Sequence, residues 1–419
     1  MANQTFRSLR ERNARIFFLG LLVSNVGTWL QLTAMSSLVY ELTGKATDVG
    51  LTIATQFLPT LVLGAWAGAV ADRVNRRRMT LVTQALLTVL AAALGLLDLS
   101  GHINMPMIYV LSLLVGIVNA MDNPARRGFV TELVDPGDIS NAMSLNTAVM
   151  TGSRIFGPAL AALLTRSIGT AWCFLINAAS FLAILFALFA IDRERLRPAA
   201  HAQRGGTPVR DALRLVRANR RLLLVFVVLA VVSTVAFNYN VSLVRLADKR
   251  FGDSDNFGWL LSAISVGSLL GSLRTASHQS VTLRYFVGNT ALLGASGIAL
   301  AWAPNIAAAL LISLPVGWGG AAFISASNSI SQHECPPEMR SRILALIAVA
   351  FLGSTPIGSP ITGWIGDHFS AEWSLGYGSV ITLASAAVAT AVLARSRSGA
   401  PSTPQSSGAD APIDHVVPS

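Results

Sequence analysis

The chain has 419 residues, 53% hydrophobic and only 12% charged, with a mean hydropathy of +0.57. That composition excludes a soluble globule with a polar surface and predicts a polytopic, all-α membrane protein. The net charge of +10 would suit nucleic acid, but the basic residues gather on one set of loops, a membrane-topology signal that argues against such a partner.

A hydrocarbon core about 30 Å thick needs about 20 helical residues. Charge-free runs of that order are Ile16–Tyr40, Val49–Ala71, Met79–Leu97, Leu99–Met121, Ile139–Thr165 (interrupted by Arg154) and Ser167–Ile191. The second half has Leu222–Val244, Asn256–Leu273, a long run Tyr285–His333 divided at Ala303-Pro304-Asn305, Ile343–Gly366 and Trp373–Ala394. Twelve spans are predicted. With the N-terminus inside, 25 of the 31 Lys and Arg residues fall on inner segments, five on outer loops, and Arg154 within a span. The positive-inside rule then puts both termini in the cytoplasm. The first span follows Arg7, Arg10, Arg12 and Arg15 without a small-residue cleavage site, so it is expected to be retained.

In span 1, Ser24, Asn25, Thr28 and Gln31 form a polar stripe that should face the bundle interior or a water-filled path. At the end of span 2, Gly64, Ala67, Gly68 and Ala71 recur at helical spacing and should admit a neighbouring backbone. A tight basic turn follows: Asp72, Arg73, Asn75, Arg76, Arg77 and Arg78, with Asn75 where a left-handed residue is wanted. Span 4 ends in Asn119, Asp122, Asn123, Pro124, Arg126 and Arg127. A buried Asp122 needs a partner, and Arg73 or Arg76 is the expected one.

Span 5 holds Gly152, Arg154, Gly157 and Pro158. The glycine and proline loosen the helix ladder, and Arg154 should point inward to a partner or an anionic substrate. Residues 192–221 read as a cytoplasmic linker with an amphipathic helix, Pro208 to Ala218. This divides the chain into an N-terminus (1–15), a first six-helix bundle (16–191), a second (222–394) and a disordered tail (395–419). An internal repeat supports the division, because Gly152-Ser153 and Gly157 match Gly353-Ser354 and Gly358 at a constant offset. The second copy of the basic turn, after Gly271, has lost its acid. Cys173 and Cys335 suggest neither a disulfide nor a metal site, and no cofactor is implied. The chain has no His-x-x-x-His, no Gly-x-Ser-x-Gly and no nucleotide-binding loop, which argues against an enzyme.

Gly68-x-x-x-Asp72-Arg73-x-Asn75-Arg76-Arg77 resembles the loop motif between helices two and three of the major facilitator superfamily, with Asn75 in place of the usual glycine. The stretch from Asp122 to Pro158 resembles the branch that includes the enterobactin exporter and macrolide-efflux-type, secretion-effector-like proteins. Its helix-5 segment partly matches the superfamily's antiporter motif. The resemblance implies two pseudo-symmetric six-helix bundles around a central cavity lined by helices 1, 4, 7 and 10, with Asn25, Gln31, Asn119, Asn238, Tyr239 and Asn328 as candidate wall residues. It further implies proton-coupled efflux of a lipophilic small molecule, a drug or siderophore, by a monomer in a bacterial inner membrane. An importer or lipid transporter of the same fold is the alternative, and a non-transporting receptor a remote one. Gly68, Asp72, Arg73, Arg76, Arg77 and Asp122 would form a cytoplasmic latch, with Asp72 against the N-terminus of helix 11 when the cavity faces outward.

Overall fold

The computed structural model describes residues 6–197, 209–254, 256–276, 281–336 and 339–398. The first five residues, the Arg204–Pro208 part of the linker, most of the second-copy turn, Pro337, Glu338 and the tail from 399 lie outside them. Among the described residues there is no strand. The helices are α1 (Arg12–Thr43), α2 (Ala46–Ala71), α3 (Arg76–Leu99), α4 (Met105–Val130), α5 (Ile139–Ile168), α6 (Thr170–Ala190), the short α7 (Val209–Ala218), α8 (Arg220–Ala236) and α9 (Tyr239–Phe251). After these come α10 (Asn256–Ala276), α11 (Leu283–Ala301), α12 (Ile306–His333), α13 (Arg340–Leu352), α14 (Thr355–His368) and α15 (Ala371–Ser398).

Among the described residues, eleven stretches are long and apolar enough to cross a membrane. α8 and α9 share one, and α13 and α14 share most of another. The ninth sequence span, α11, is not among the eleven, because Arg284, Asn289 and Thr290 dilute its 19 residues. Those two polar side chains are satisfied within the helix: Asn289 donates to the Tyr285 carbonyl (2.8 Å) and Thr290 to that of Phe286 (2.9 Å). α11 packs between α12 and α15.

Local chemistry sets the helix ends. α1 stops at Gly44, whose φ of +65° is readily adopted only by glycine, and the Gly44 N–H closes on the Tyr40 carbonyl (2.7 Å). Asn75, Asn104, Asn219 and Asn305 cap α3, α4, α8 and α12 by accepting backbone N–H bonds. Spans 7 and 11, expected as continuous helices, are both interrupted. The chain leaves helix at Phe237-Asn238 and again at Gly353-Ser354, where Pro356 in the next turn removes a ladder donor. Such breaks are tolerated at membrane depth where protein or a cavity satisfies the freed groups. Here Asn238 does so, donating to the Thr234 carbonyl (2.7 Å) and accepting from Ser359 Oγ (3.0 Å).

Within the first half α1 packs on α5 and α6, α2 on α4, and α3 on α4 and α6. Within the second α10 packs on α12, and α15 on α8 and α11. The halves meet where α2 packs on α14 and α5 on α10. The repeat glycines do the same job twice: a Cβ on Gly157 would stand 2.3 Å from Trp29 Cβ of α1, and one on Gly358 only 1.9 Å from the Thr234 carbonyl of α8. α7, the amphipathic helix expected in the linker, buries Ala212 and Val216 and packs on α8 and α13.

Candidate functional site

The basic turn is built from its caps outward. Asn75 has φ −65° and its Oδ1 accepts the Arg78 N–H (2.9 Å), so it serves as a helix cap and not as the left-handed residue expected from the sequence. Asp72 is exposed and pairs with Arg76 (3.2 Å), which also reaches Glu132 and the Gly128 carbonyl (3.4 Å each). Arg77 is buried, and its Nε donates to the Leu188 carbonyl (3.0 Å), satisfying the end of α6. Arg73 stays exposed.

Asp122 meets neither Arg73 nor Arg76, contrary to the sequence expectation. It is fully buried; Oδ1 accepts from Thr83 Oγ1 (2.7 Å) and Gln84 Nε2 (3.0 Å), and Oδ2 pairs with Arg126 Nε (3.0 Å). The reason is helical spacing: Arg126 stands one turn away on the same helix, and the carboxylate points across to α3, away from the loop. Arg126 extends the network to Asn25 of α1 (3.2 Å) and to Asn123 (3.3 Å), leaving Asn25 Nδ2 without a partner among the described residues. Sequence reading overlooked Thr83 and Gln84, because a lone threonine or glutamine in an apolar span carries no pattern.

The small-residue stripe splits. Ala67 and Ala71 are buried, but Gly64 and Gly68, and Gly152 on α5, face open space, where an added Cβ would find nothing within 4 Å.

Near the middle of α5, Arg154 keeps an accessible side chain. Its guanidinium carbon lies 4.7 Å from the centre of the Trp29 ring, an aromatic partner on α1. Tyr239, at the start of α9, is half-buried. Gln31 and Asn119 come together with Thr28, Gln56 and Asn177 around a small cavity of ≈ 20 Å³ inside the first half, room for about one water. Asn177 donates to Gln31 there (2.7 Å). Asn25 and Asn238 are buried in the contacts above, and Asn328 stands half-buried on α12.

The end holding Lys45, Lys249 and His368 carries a clasp that sequence reading did not anticipate. Asp367 of α14 accepts from the Ala46 N–H (2.9 Å), the Thr47 N–H (2.8 Å) and Thr47 Oγ1 (2.6 Å), capping α2, and pairs with Arg245 of α9 (2.8 Å). Tyr40 donates to Asp248 (2.9 Å), and Arg166 pairs with Asp253 (3.6 Å). Each joins the first half of the chain to the second. At the opposite end the described pairs Arg7–Asp138, Arg197–Asp135 and Arg221–Glu334 each close within one half.

Comparison with known proteins fits this architecture. A family profile described as transmembrane secretion effector matches residues 3–416, so the chain belongs to that family of the major facilitator superfamily. It is a multi-span membrane transporter and not an enzyme. It is 25% identical to the multidrug efflux pump Tap of Mycolicibacterium fortuitum over 83% of this chain and 87% of that one. It is also 25% identical to the staphyloferrin A transporter of Staphylococcus aureus, over 62% and 64% respectively. Among solved structures, a bacterial homolog of the human lysosomal transporter Spinster superposes with a TM-score of 0.71 at 16% identity, covering 90% of this chain and 96% of that one.

Proposed function

We propose that the chain is a secondary active exporter of a lipophilic small molecule, a drug or siderophore, working by alternating access in a bacterial inner membrane. Twelve spans, with α11 as the ninth, form bundles over 16–191 and 222–394, joined by the 192–221 linker, with both termini cytoplasmic. The observation that carries this reading is the asymmetry of the two ends. Asp367 clasps α2 and α9 at the outer end, while Gly64 and Gly68 beside the basic turn face open space. Small residues on such a face let a neighbouring helix approach closely, and we assign this face to a second conformation. In that conformation α13 closes on α2, Asp72 meets the N-terminus of α13, and the outer clasp opens.

Export is supported by the resemblance to a relative named as an efflux pump, and proton drive by the partial match of the helix-5 segment to the superfamily's antiporter motif. Asp122, the fully buried carboxylate, is the residue on which coupling is tested. The experiment is accumulation of drugs and siderophores in cells expressing the wild type, Asp72→Asn or Asp122→Asn, with and without a protonophore. Export reads as lower accumulation that needs Asp72, Asp122 and the proton gradient. Equal accumulation in all strains, with the protein confirmed in the membrane, would count against it.

A further inference from the structure

We infer that the central cavity selects organic anions: a carboxylate or comparable acid pairs with Arg154, and an apolar or aromatic body lies beside Trp29. The inference rests on taking this cavity as the substrate path, and it adds the charge class of the substrate.

Arg154 sits near the middle of α5, where an unpaired charge is costly. Its position is rigid, because Gly157, one turn on, holds α5 against α1 so closely that a Cβ there would overlap Trp29 Cβ and approach the Val26 carbonyl (2.9 Å). The same contact sets the Trp29 ring against the guanidinium. A ring covers only one face of a guanidinium. The five N–H donors lie in its plane, and among the described residues none of them meets an acceptor.

The acids of the spans and span ends are committed elsewhere. Asp122 is held by Arg126, Thr83 and Gln84; Asp48 accepts from Tyr109 (3.2 Å); Asp367 is held by Arg245 and Thr47; Asp248 accepts from Tyr40. Arg154 is therefore left without an acidic partner among the described residues. In a low-dielectric chamber an unpaired cation favours an anion and repels a second cation. A guanidinium whose edge is free and whose face is stacked matches a planar carboxylate by paired hydrogen bonds.

The test uses the full chain in detergent and two probes of matched shape, 2-naphthoate and 2-naphthylmethylammonium, titrated by calorimetry into the wild type, Arg154→Gln and Arg154→Lys. Expected is a Kd at least tenfold lower for the naphthoate, a preference abolished in Arg154→Gln and partly retained in Arg154→Lys. Preference for the ammonium probe, naphthoate binding unchanged in a monodisperse Arg154→Gln, or no naphthoate binding up to its solubility limit would each overturn the inference. The measurement is independent of transport direction. A chain that binds naphthoate through Arg154 but moves no compound outward would sink the export reading and leave this one standing.

Discussion

Asp367 and Thr47 lie in opposite halves of the chain, yet one carboxylate oxygen accepts both the backbone N–H and the hydroxyl of Thr47, while the other takes the Ala46 N–H and the Arg245 guanidinium. One side chain thus caps a helix, neutralises a cation and joins the halves. Asp367→Asn keeps the volume and loses the charge. Breaking a largely buried pair costs about 3–5 kcal/mol at most, and residual access to water at both residues brings the figure down. The expected result is a lower melting temperature in detergent, with spin-label distances showing that the Asp367 end has opened. Asp367→Glu should recover part of both.

Gly157 and Gly68 make a contrasting pair. Gly157→Ala would force its new methyl onto Trp29 and the Val26 carbonyl, so a melting temperature several degrees lower is expected, in line with overpacking costs of about 1–3 kcal/mol. Gly68→Leu enters open space and should leave melting unchanged in this conformation. It should abolish export, because the face it occupies must close on α13. A Gly68→Leu protein that exports normally would remove the role given to the motif face.

Asp122→Ala leaves Arg126 inside the membrane with only Asn25 and Asn123, and strips an acceptor from Thr83 and Gln84. An uncompensated buried charge of this kind costs about 3–5 kcal/mol. Low expression and early thermal unfolding are expected. The double variant Asp122→Ala with Arg126→Leu should recover much of the stability while remaining inactive.

Glu334, just beyond the end of α12, is held below the usual carboxylate range. Partial burial opposes ionisation, but hydrogen bonds from Asn219 (3.2 Å) and Arg221 (3.1 Å) outweigh it. A depressed folded-state value means that the pair stabilises the protein at neutral pH and that this contribution drains away as pH falls through the folded value. Melting temperatures from neutral to pH 3 should therefore fall more steeply for the wild type than for Glu334→Gln. Parallel curves would show that the pair contributes nothing to stability.

The sequence was legible where a pattern spans many residues. Long apolar runs, the Asp72–Arg77 turn and the repeat linking Gly157 to Gly358 announced the helices, the family and two matching close-packing points. Single-residue partnerships were not legible. Asp367 looks like any acid at a span end, and only the packing of α14 on α2 brings it to Thr47. Asp122 was recognised as needing a partner, but the choice between the loop arginines and Arg126 depends on which way α4 faces. The interruptions at Asn238 and Ser354 escaped notice because the spans were read as charge-free runs, and neither break carries a charge.

The central claim is that the two ends open and close in opposition. It is tested most directly by double electron–electron resonance on protein in which Cys173 and Cys335 are replaced by alanine. One label pair goes at Val74 and Ala345, beside the basic turn, and a second at Leu42 and Phe369, beside the outer clasp; all four positions are exposed. The account predicts that Asp367→Asn lengthens the outer distance and shortens the inner one in the same sample. Lengthening at the outer pair with no change at the inner pair would contradict it.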